Sequence, residues 1–205
     1  MIRRQQATNF APAIRLAEKL VHPLNQFVTL NFNHTACPPE AASAVFARLR
    51  DNHFGPWVRR PPRRSGLTGS TPAFVWVIEN TNGHTAAHWL LHVPPPRLAD
   101  FTAKFPQWLH SVTGGLTCAV SSIDIRAAYR PFGARKYMLK GIDPAFADFY
   151  GIRHVPQGLV HGKRCGFSRS LGPTACRRNR TYYRQMCADG YRRYSTPASA
   201  QHKSL

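Results

Sequence analysis

The chain has 205 residues, of which 43% are hydrophobic, so it is long enough for one domain with a buried core. Its 28 lysines and arginines outnumber its 9 acidic residues, which gives a formal net charge of +19. This charge disfavours cationic partners and favours a polyanion, most commonly nucleic acid. A ribosome-associated protein and a protein that binds a membrane surface are the alternatives that charge alone leaves open.

The sequence shows no sign of a membrane or secreted protein. No apolar run approaches the roughly 20 residues of a transmembrane helix, and the basic N-terminus lacks the apolar core of a secretion signal. The five cysteines are odd in number and show no C-x-x-C spacing, which argues against a disulfide framework and a zinc ribbon. We therefore expect reduced thiols, a cytoplasmic location and no membrane partner.

The first part of the chain alternates helix and strand. Residues 1–24 form a basic segment with a short helix that ends before Pro23. Residues 26–32 alternate and are rich in β-forming residues, which predicts a strand. A second helix begins at Pro38, because proline suits the first turn, and it fades near Asn52.

A basic, proline-rich loop follows. Four arginines lie within six residues: Arg59, Arg60, Arg63 and Arg64. The simplest role of this loop is a solvated connection, but such a run of guanidinium groups also suits contact with phosphates.

Residues 71–79 and 86–93 are both strand-like, and Asn82-Gly83 between them is the strongest short hairpin signal. The chain then continues with a helix over residues 98–112, a β-rich run over residues 116–128 and a helix that carries Tyr137. This order is not strictly β-α-β. It predicts an α+β sandwich with a largely antiparallel sheet and flanking helices.

The hairpin predicts a site that contains histidine and carboxylate. With a two-residue turn, Glu79 faces Ala86, and period-two alternation puts Glu79, His84 and His88 on one side of the sheet. His92 shares that side, but on a strand it lies about 13 Å from His88, too far to bind the same ion. A helix would bring these two histidines together, yet the β-rich composition favours a strand.

Tyr137 and Lys140 are three residues apart, so on a helix their Cβ atoms lie roughly 5–6 Å apart on one face. This places a phenol beside an ammonium group. Alone, the pattern is weak, since a tyrosine on an amphipathic helix is more often a core residue. It gains weight because it follows the histidine strand by about 50 residues, with one helix and one strand between.

The hairpin that carries Glu79 and His88 is followed by the segment that carries Tyr137 and Lys140. In this order, they resemble the second and third motifs of rolling-circle replication initiators, the HUH endonucleases. The resemblance covers residues 25–175 and implies an antiparallel-sheet sandwich of the RRM/ferredoxin-like type. It also implies a divalent metal, Mg²⁺ or Mn²⁺, held by Glu79 and His88. The family's second histidine corresponds to Ala86 here, and His84 is the candidate that would replace it.

The resemblance implies that Tyr137 attacks a phosphorus of single-stranded DNA at a replication origin and forms a 5′-phosphotyrosine, with Lys140 stabilising the charge. It places residues 157–168, which contain glycines and basic residues, near the phosphates. The DNA contacts expected from the sequence as a whole are Arg59, Arg60, Arg63, Arg64, Arg135, Lys136, Lys163 and Arg164.

The resemblance also sets the expected organisation and partners. We expect a nicking domain over residues 25–175 and a basic, disordered tail over residues 176–205. There is no G-x-x-x-x-G-K-[ST] loop, so a helicase of the bacterial host would unwind the DNA, and no small-molecule cofactor is expected. The alternative function is a DNA- or RNA-binding protein on the same fold with impaired catalysis, which Ala86 makes plausible.

Overall fold

A computed structural model describes residues 1–61, 66–181 and 184. The helices are α1 (Arg4–Thr8), α2 (Phe10–Lys19), α3 (Ala42–Arg48), α4 (Gly55–Arg59), α5 (Leu98–Thr113), α6 (Ala119–Ser122), α7 (Pro131–Met138) and α8 (Pro144–Ala147). The strands are β1 (Gln26–Asn31), β2 (Phe74–Thr81), β3 (His84–Leu91), β4 (Ile123–Ala127) and β5 (Cys165–Phe167). Residues 173–181 are also helical.

The strands of the described residues form one open sheet in the order β4-β1-β3-β2-β5, in which every neighbouring pair is antiparallel. Along the chain, β1 to β4 follow the order β-α-β-β-α-β, with α3 and α4 in the first connection and α5 in the second. The α+β class and the antiparallel sheet predicted from the sequence are therefore confirmed.

Each face of the sheet carries its own apolar core. On the first face, Trp76 and Trp89 pack against Phe46, Phe54 and aromatic residues of α5. On the second face, strand residues pack against α1, α2, α7 and the 3₁₀ turn that follows α7, including Val75, Val77, Leu90, Phe10, Ile14 and Leu139. Each fully buried aromatic or aliphatic side chain contributes about 1.5–3 kcal/mol.

The β2–β3 hairpin has the turn that its sequence favours. Asn82 and Gly83 have φ values of 52° and 81°, which is the two-residue geometry that Asn-Gly adopts with little strain. Both strands are shifted relative to the expected ranges, since β2 begins at Phe74 and β3 begins at His84. The pairing itself is as predicted.

The helix that was expected to fade near Asn52 instead continues to Arg59. A π-helical turn (Leu49–Phe54) joins α3 to α4. Pro56 lies directly after this π-helical turn, at the start of α4. The sequence alone placed the end of the helix too early.

The β-rich run over residues 116–128 is only partly strand. Its first half contains α6, and β4 covers Ile123–Ala127. The Ser122 hydroxyl donates to the carbonyls of Cys118 and His34, which favours a tight turn over an extended chain.

The expected boundaries at residues 24 and 176 do not coincide with packing boundaries. Phe10 and Ile14 of α2 are fully buried in the second core. Cys176 lies inside the helix over residues 173–181 and packs against the same core. Most of the expected tail lies outside the described residues. Within the described part of the chain, no helix is long and apolar enough to cross a membrane.

Candidate functional site

The hairpin brings Glu79 and His88 to the second face of the sheet. Glu79 stands opposite Ala86, and Val77 stands opposite His88, so the expected register is confirmed. Because residues two apart on a strand share a face, both side chains continue the rows that form the second core. They lie where that core ends: Glu79 is 13% exposed and His88 is 3% exposed.

His88 is held by neighbours on β1. Its Nε2 lies 3.0 Å from Glu79 Oε1, in an approach out of line with a hydrogen bond from the ring. Its Nδ1 lies 3.2 Å from Thr29 Oγ1, and the Phe27 ring stacks on the imidazole with centroids 5.8 Å apart. The imidazole is thus fixed with Nε2 facing the carboxylate.

Lys140 binds the same carboxylate. Its Nζ lies 3.2 Å from Oε1 and 3.0 Å from Oε2 of Glu79. Burial acts to raise the pKa of the Glu79 carboxyl, but the contacts and charges of His88 and Lys140 outweigh it and lower that pKa. Burial acts to lower the pKa of Lys140, but hydrogen bonds with Glu79 and Tyr137 outweigh it and raise that pKa. Glu79 stays ionised and Lys140 stays cationic at neutral pH.

Tyr137 completes the cluster and is not a core residue. It is 47% exposed, whereas the following Met138 is buried. Its ring meets the His88 ring edge to face at 4.9 Å between centroids, and Lys140 Nζ lies 4.1 Å from its centroid. Helix α7 ends at Met138, so Lys140 belongs to a 3₁₀ turn, Leu139–Gly141. The expected common helix is therefore wrong, yet the two side chains remain adjacent.

The residues present supply two ligand atoms for a metal. Ligands about 2.1 Å from Mg²⁺ and at right angles to each other are about 3 Å apart, and His88 Nε2 and Glu79 Oε1 have a separation of 3.0 Å. The pair thus fits two adjacent positions around one ion. Lys140 now takes both carboxylate oxygens, so an ion would share Glu79 with it.

A third protein ligand is not in place. His84 lies on the same face, but at the exposed end of the hairpin. Ala86 stands between Glu79 and Asn31 on the neighbouring strands and offers no ligand atom. Across residues 1–61, 66–181 and 184, no three His, Cys, Asp or Glu side chains form a metal-binding group.

The basic residues near this site differ in their exposure to solvent and in their contacts with the rest of the protein. Lys136 on α7 and Lys163 before β5 are exposed. The Arg164 guanidinium donates to the carbonyl of Gly158, and the Arg135 guanidinium is partly buried. Burial lowers the pKa of both arginines. Lys136 and Lys163 are therefore the two members of this group that are freest to contact phosphates.

The other expected DNA contacts lie elsewhere. Arg59 ends α4 and borders a cleft together with Phe74, the first residue of β2. Phe74 is about 17 Å along the strand from Glu79. Arg60 follows Arg59 and is exposed, while Arg63 and Arg64 lie outside the described residues. The expected DNA-binding residues therefore do not form one surface around Tyr137.

In the segment over residues 157–168, the first glycine, Gly158, has a structural role. Asn80 donates its backbone N–H to the carbonyl of Gln157 and its side-chain amide to the carbonyl of Leu159, each at 2.9 Å. A Cβ at Gly158 would overlap the carbonyl oxygen of Asn80. The expectation that these glycines approach phosphate is thus corrected for Gly158, which allows two protein backbones to meet.

Thr29 and Phe27 were not assigned a role from the sequence. Both lie on β1, and Thr29 stands opposite His88 in the register. Alternation along β1 marks the two residues as sharing a face. The sequence does not say that β1 is the strand next to β3, so it could not point to this contact.

Comparison with known proteins adds no relative: the chain matches no family model, no curated protein and no solved structure.

Proposed function

We propose that this protein nicks and rejoins single-stranded DNA at a rolling-circle origin through a covalent 5′-phosphotyrosine. The observation that carries this proposal is the contact between four groups: Tyr137, Lys140, Glu79 and His88. An exposed phenol beside an ammonium group and a carboxylate–imidazole pair is an arrangement suited to attack on a phosphodiester.

In this reaction the Tyr137 hydroxyl oxygen bonds to phosphorus, and the bond from phosphorus to the 3′ oxygen breaks. The phenolic proton passes to solvent, and the departing 3′ oxygen takes up a proton from solvent to become a 3′-hydroxyl. The fragment on the 3′ side of the nick stays on the tyrosine through its 5′ phosphate. Attack of a 3′-hydroxyl on this intermediate rejoins a strand and frees the phenol.

Lys140 stabilises the phenolate that forms as Tyr137 loses its proton. Its ammonium group is 4.1 Å from the ring centroid and is kept cationic by Glu79. Thr29 and Phe27 orient His88, so its Nε2 keeps facing the carboxylate.

A Mg²⁺ or Mn²⁺ ion, when bound, would polarise the scissile phosphate and offset the charge that develops on it. Glu79 and His88 would hold this ion, with water and phosphate oxygens as the remaining ligands. Lys140 and the exposed Lys136 provide positive charge next to the same phosphate.

The topology supports the finer fold proposal. A β-α-β-β-α-β order with strands arranged β4-β1-β3-β2 is that of ferredoxin-like and RRM domains, here extended by β5. On this proposal the partners are origin single strands and a host helicase, and the location is the bacterial cytoplasm.

The decisive experiment is a test for a covalent adduct. Purified protein is incubated with Mn²⁺ and single-stranded segments of its source genome, and products are resolved under denaturing conditions. Wild type is expected to carry a DNA fragment, and Tyr137→Phe is expected to carry none. Tyr129→Phe is the matched control, since Tyr129 is 90% exposed in the loop before α7. An adduct on Tyr137→Phe, or none on wild type, contradicts the proposal.

A second candidate is a nucleic-acid-binding protein without catalysis. It is favoured by Ala86, which offers no ligand, and by Lys140, which already neutralises Glu79. This candidate predicts that wild type binds single strands with the same affinity as Tyr137→Phe and never becomes attached to them.

A further inference from the structure

A large basic cleft lies at the end of β2 that is remote from Glu79. It has a volume of about 1150 Å³ and is bordered by α2, α4, the end of β5 and the helix over residues 173–181. Among the described residues, one carboxylate lines it, that of Asp51, and so do four arginines: Arg50, Arg59, Arg169 and Arg178. The side chains around it therefore carry a net charge of about three positive units at neutral pH.

Among the described residues, the positive charge of this cleft is only partly balanced, by Asp51. Within the described ranges, none of the four guanidinium groups forms an ion pair or a hydrogen bond. Arg50 is half-buried, and its buried Nε has no partner. Burial lowers the pKa of Arg50, and the nearby charge of Asp51 offsets this effect only in part. An anion in the cleft would offset this cost.

One of these guanidinium groups, that of Arg50, is held in place before any ligand binds, and a second, that of Arg59, has room beside Gly55. The Arg50 guanidinium lies over the Trp76 ring at 4.6 Å and near the Phe46 ring at 5.1 Å, contacts that fix its plane. Arg59 Nη1 would lie 3.0 Å from a Cβ at Gly55, so the absence of a side chain there makes room for the guanidinium. Such preorganisation lowers the entropy lost on binding.

Part of the remaining wall of the cleft is apolar, and the rest carries serine, threonine and asparagine side chains. The apolar part is formed by side chains from α2, β2 and β5: Leu16, Leu20, Phe74 and Phe167. Guanidinium groups next to aromatic and aliphatic surface suit a ligand that has both phosphates and bases. The volume exceeds what one inorganic phosphate fills and lies slightly above the range of about 300–1,000 Å³ that is usual for ligand sites.

We propose that this cleft binds a segment of a single-stranded nucleic acid through its phosphodiester groups, as a second binding site separate from Tyr137. The phosphate chemistry of the cleft stands on its own, whereas the choice of a nucleic acid strand as the ligand rests on the proposed function. A strand held here leaves the Tyr137 site free for another part of the same molecule.

The test compares two double variants that remove the same charge from neighbouring positions. Arg59→Gln/Arg178→Gln removes two guanidinium groups from the cleft, and Arg177→Gln/Arg180→Gln removes two exposed ones nearby that do not line it. Both are made on Tyr137→Phe, so that cleavage does not contribute. Binding of labelled oligothymidylate is followed by fluorescence anisotropy over a range of salt concentrations.

The cleft variant is expected to bind about tenfold or more weakly, and its salt slope should fall by about 1.4, the value for two lost phosphate contacts to a single strand. The control variant is expected to change little in either respect. Equal losses in the two variants overturn the proposal, since the arginines would then act only through net charge. Thermal unfolding of both variants checks that the fold is intact.

Two further ligands distinguish sources of anionic charge. If ATP binds through Arg59 and Arg178 and displaces the oligonucleotide, the cleft is a mononucleotide site and the strand assignment is wrong. If the cleft variant loses as much affinity for polyglutamate as for the oligonucleotide, the cleft binds polyanions in general and the assignment to phosphodiesters is wrong. If wild type forms no adduct on Tyr137 but the cleft variant alone loses strand binding, the proposed nicking activity fails and the cleft assignment stands.

Discussion

Glu79 is the residue on which the charges of the site converge. It is a mostly buried carboxylate with an imidazole on one oxygen and an ammonium group across both oxygens. Both neighbours are needed: without Lys140 the phenol loses the adjacent ammonium group, and without His88 a metal ion would lose its second protein ligand. The contacts with His88 and Lys140 favour the ionised form of Glu79, so this carboxylate also contributes to the stability of the folded protein.

Glu79→Gln is expected to lower the free energy of unfolding by roughly 1–3 kcal/mol at neutral pH, because a charge-assisted contact is lost. The pKa of Glu79 is lowered in the fold, so its contribution is complete above the ordinary carboxyl pKa of about 4.3 and disappears as pH falls through the native value. Urea unfolding of both proteins from pH 7 to acid measures the difference.

The control for this prediction is Asp124→Asn. Asp124 pairs with Arg126 at 2.8 Å, but the side chains are 47% and 75% exposed. An exposed pair of this kind contributes within about 0.5 kcal/mol. A difference between wild type and Glu79→Gln that does not shrink at acid pH would contradict the assigned contacts.

Ala86→His is expected to tighten Mn²⁺ binding by about tenfold or more, because it adds a third ligand directly opposite Glu79. Isothermal titration calorimetry on wild type and variant measures the change. Ala86→Leu adds bulk at the same position without a ligand atom and is expected to give no gain. If Ala86→His also gives none, His84 or another arrangement is the metal site.

At the scale of elements, the sequence predicts the β2–β3 hairpin well but does not predict how residues 157–164 pack along the edge of β2. Asn82-Gly83 and the alternation of β2 and β3 are local signals, and they yielded the register. The segment over residues 157–164 pairs irregularly with β2, and only the structure shows that Gly158 meets Asn80. Its glycine therefore looked like a phosphate-binding feature in the sequence.

Gly158→Ala is expected to lower the free energy of unfolding by about 2–4 kcal/mol, since a Cβ adds a clash with Asn80 to the strain of a positive φ. Gly83→Ala is the matched control: its φ is also positive, at 81°, but no atom lies within 4 Å of the added Cβ. It should lose about 1–2 kcal/mol. Urea unfolding compares them, and equal losses would contradict the close approach at Gly158.

On the scale of the whole molecule, the sheet separates two cores, and the N-terminal helices belong to the second. Phe10 of α2 is fully buried and meets Phe167 of β5 edge to face at 4.9 Å. Ile2 pairs with Ile142 just beyond the turn that carries Lys140. Residues 1–24 are thus part of the structure that positions the site.

Phe10→Ala is expected to lower the free energy of unfolding by about 3–5 kcal/mol, through lost burial and the cavity left behind. Phe149→Ala, which truncates a phenylalanine that is 76% exposed, is the control and should change stability little. Denaturant unfolding measures both. A small loss for Phe10→Ala would mean that the N-terminal helices are a separate, dispensable segment.

The sequence by itself determined the α+β class, the hairpin register and the pairing of Tyr137 with Lys140, because each rests on a period or a turn within a few residues. It misplaced the end of α7, and it missed α6, where the Ser122 hydroxyl donates to a backbone carbonyl and favours a tight turn. Only the tertiary structure decided that Lys140 reaches Glu79, that β1 supplies Thr29 to His88, and that Arg50 and Arg178 meet in one cleft. These contacts join residues 59 to 128 positions apart in the chain, and no local signal encodes which distant segments pack together.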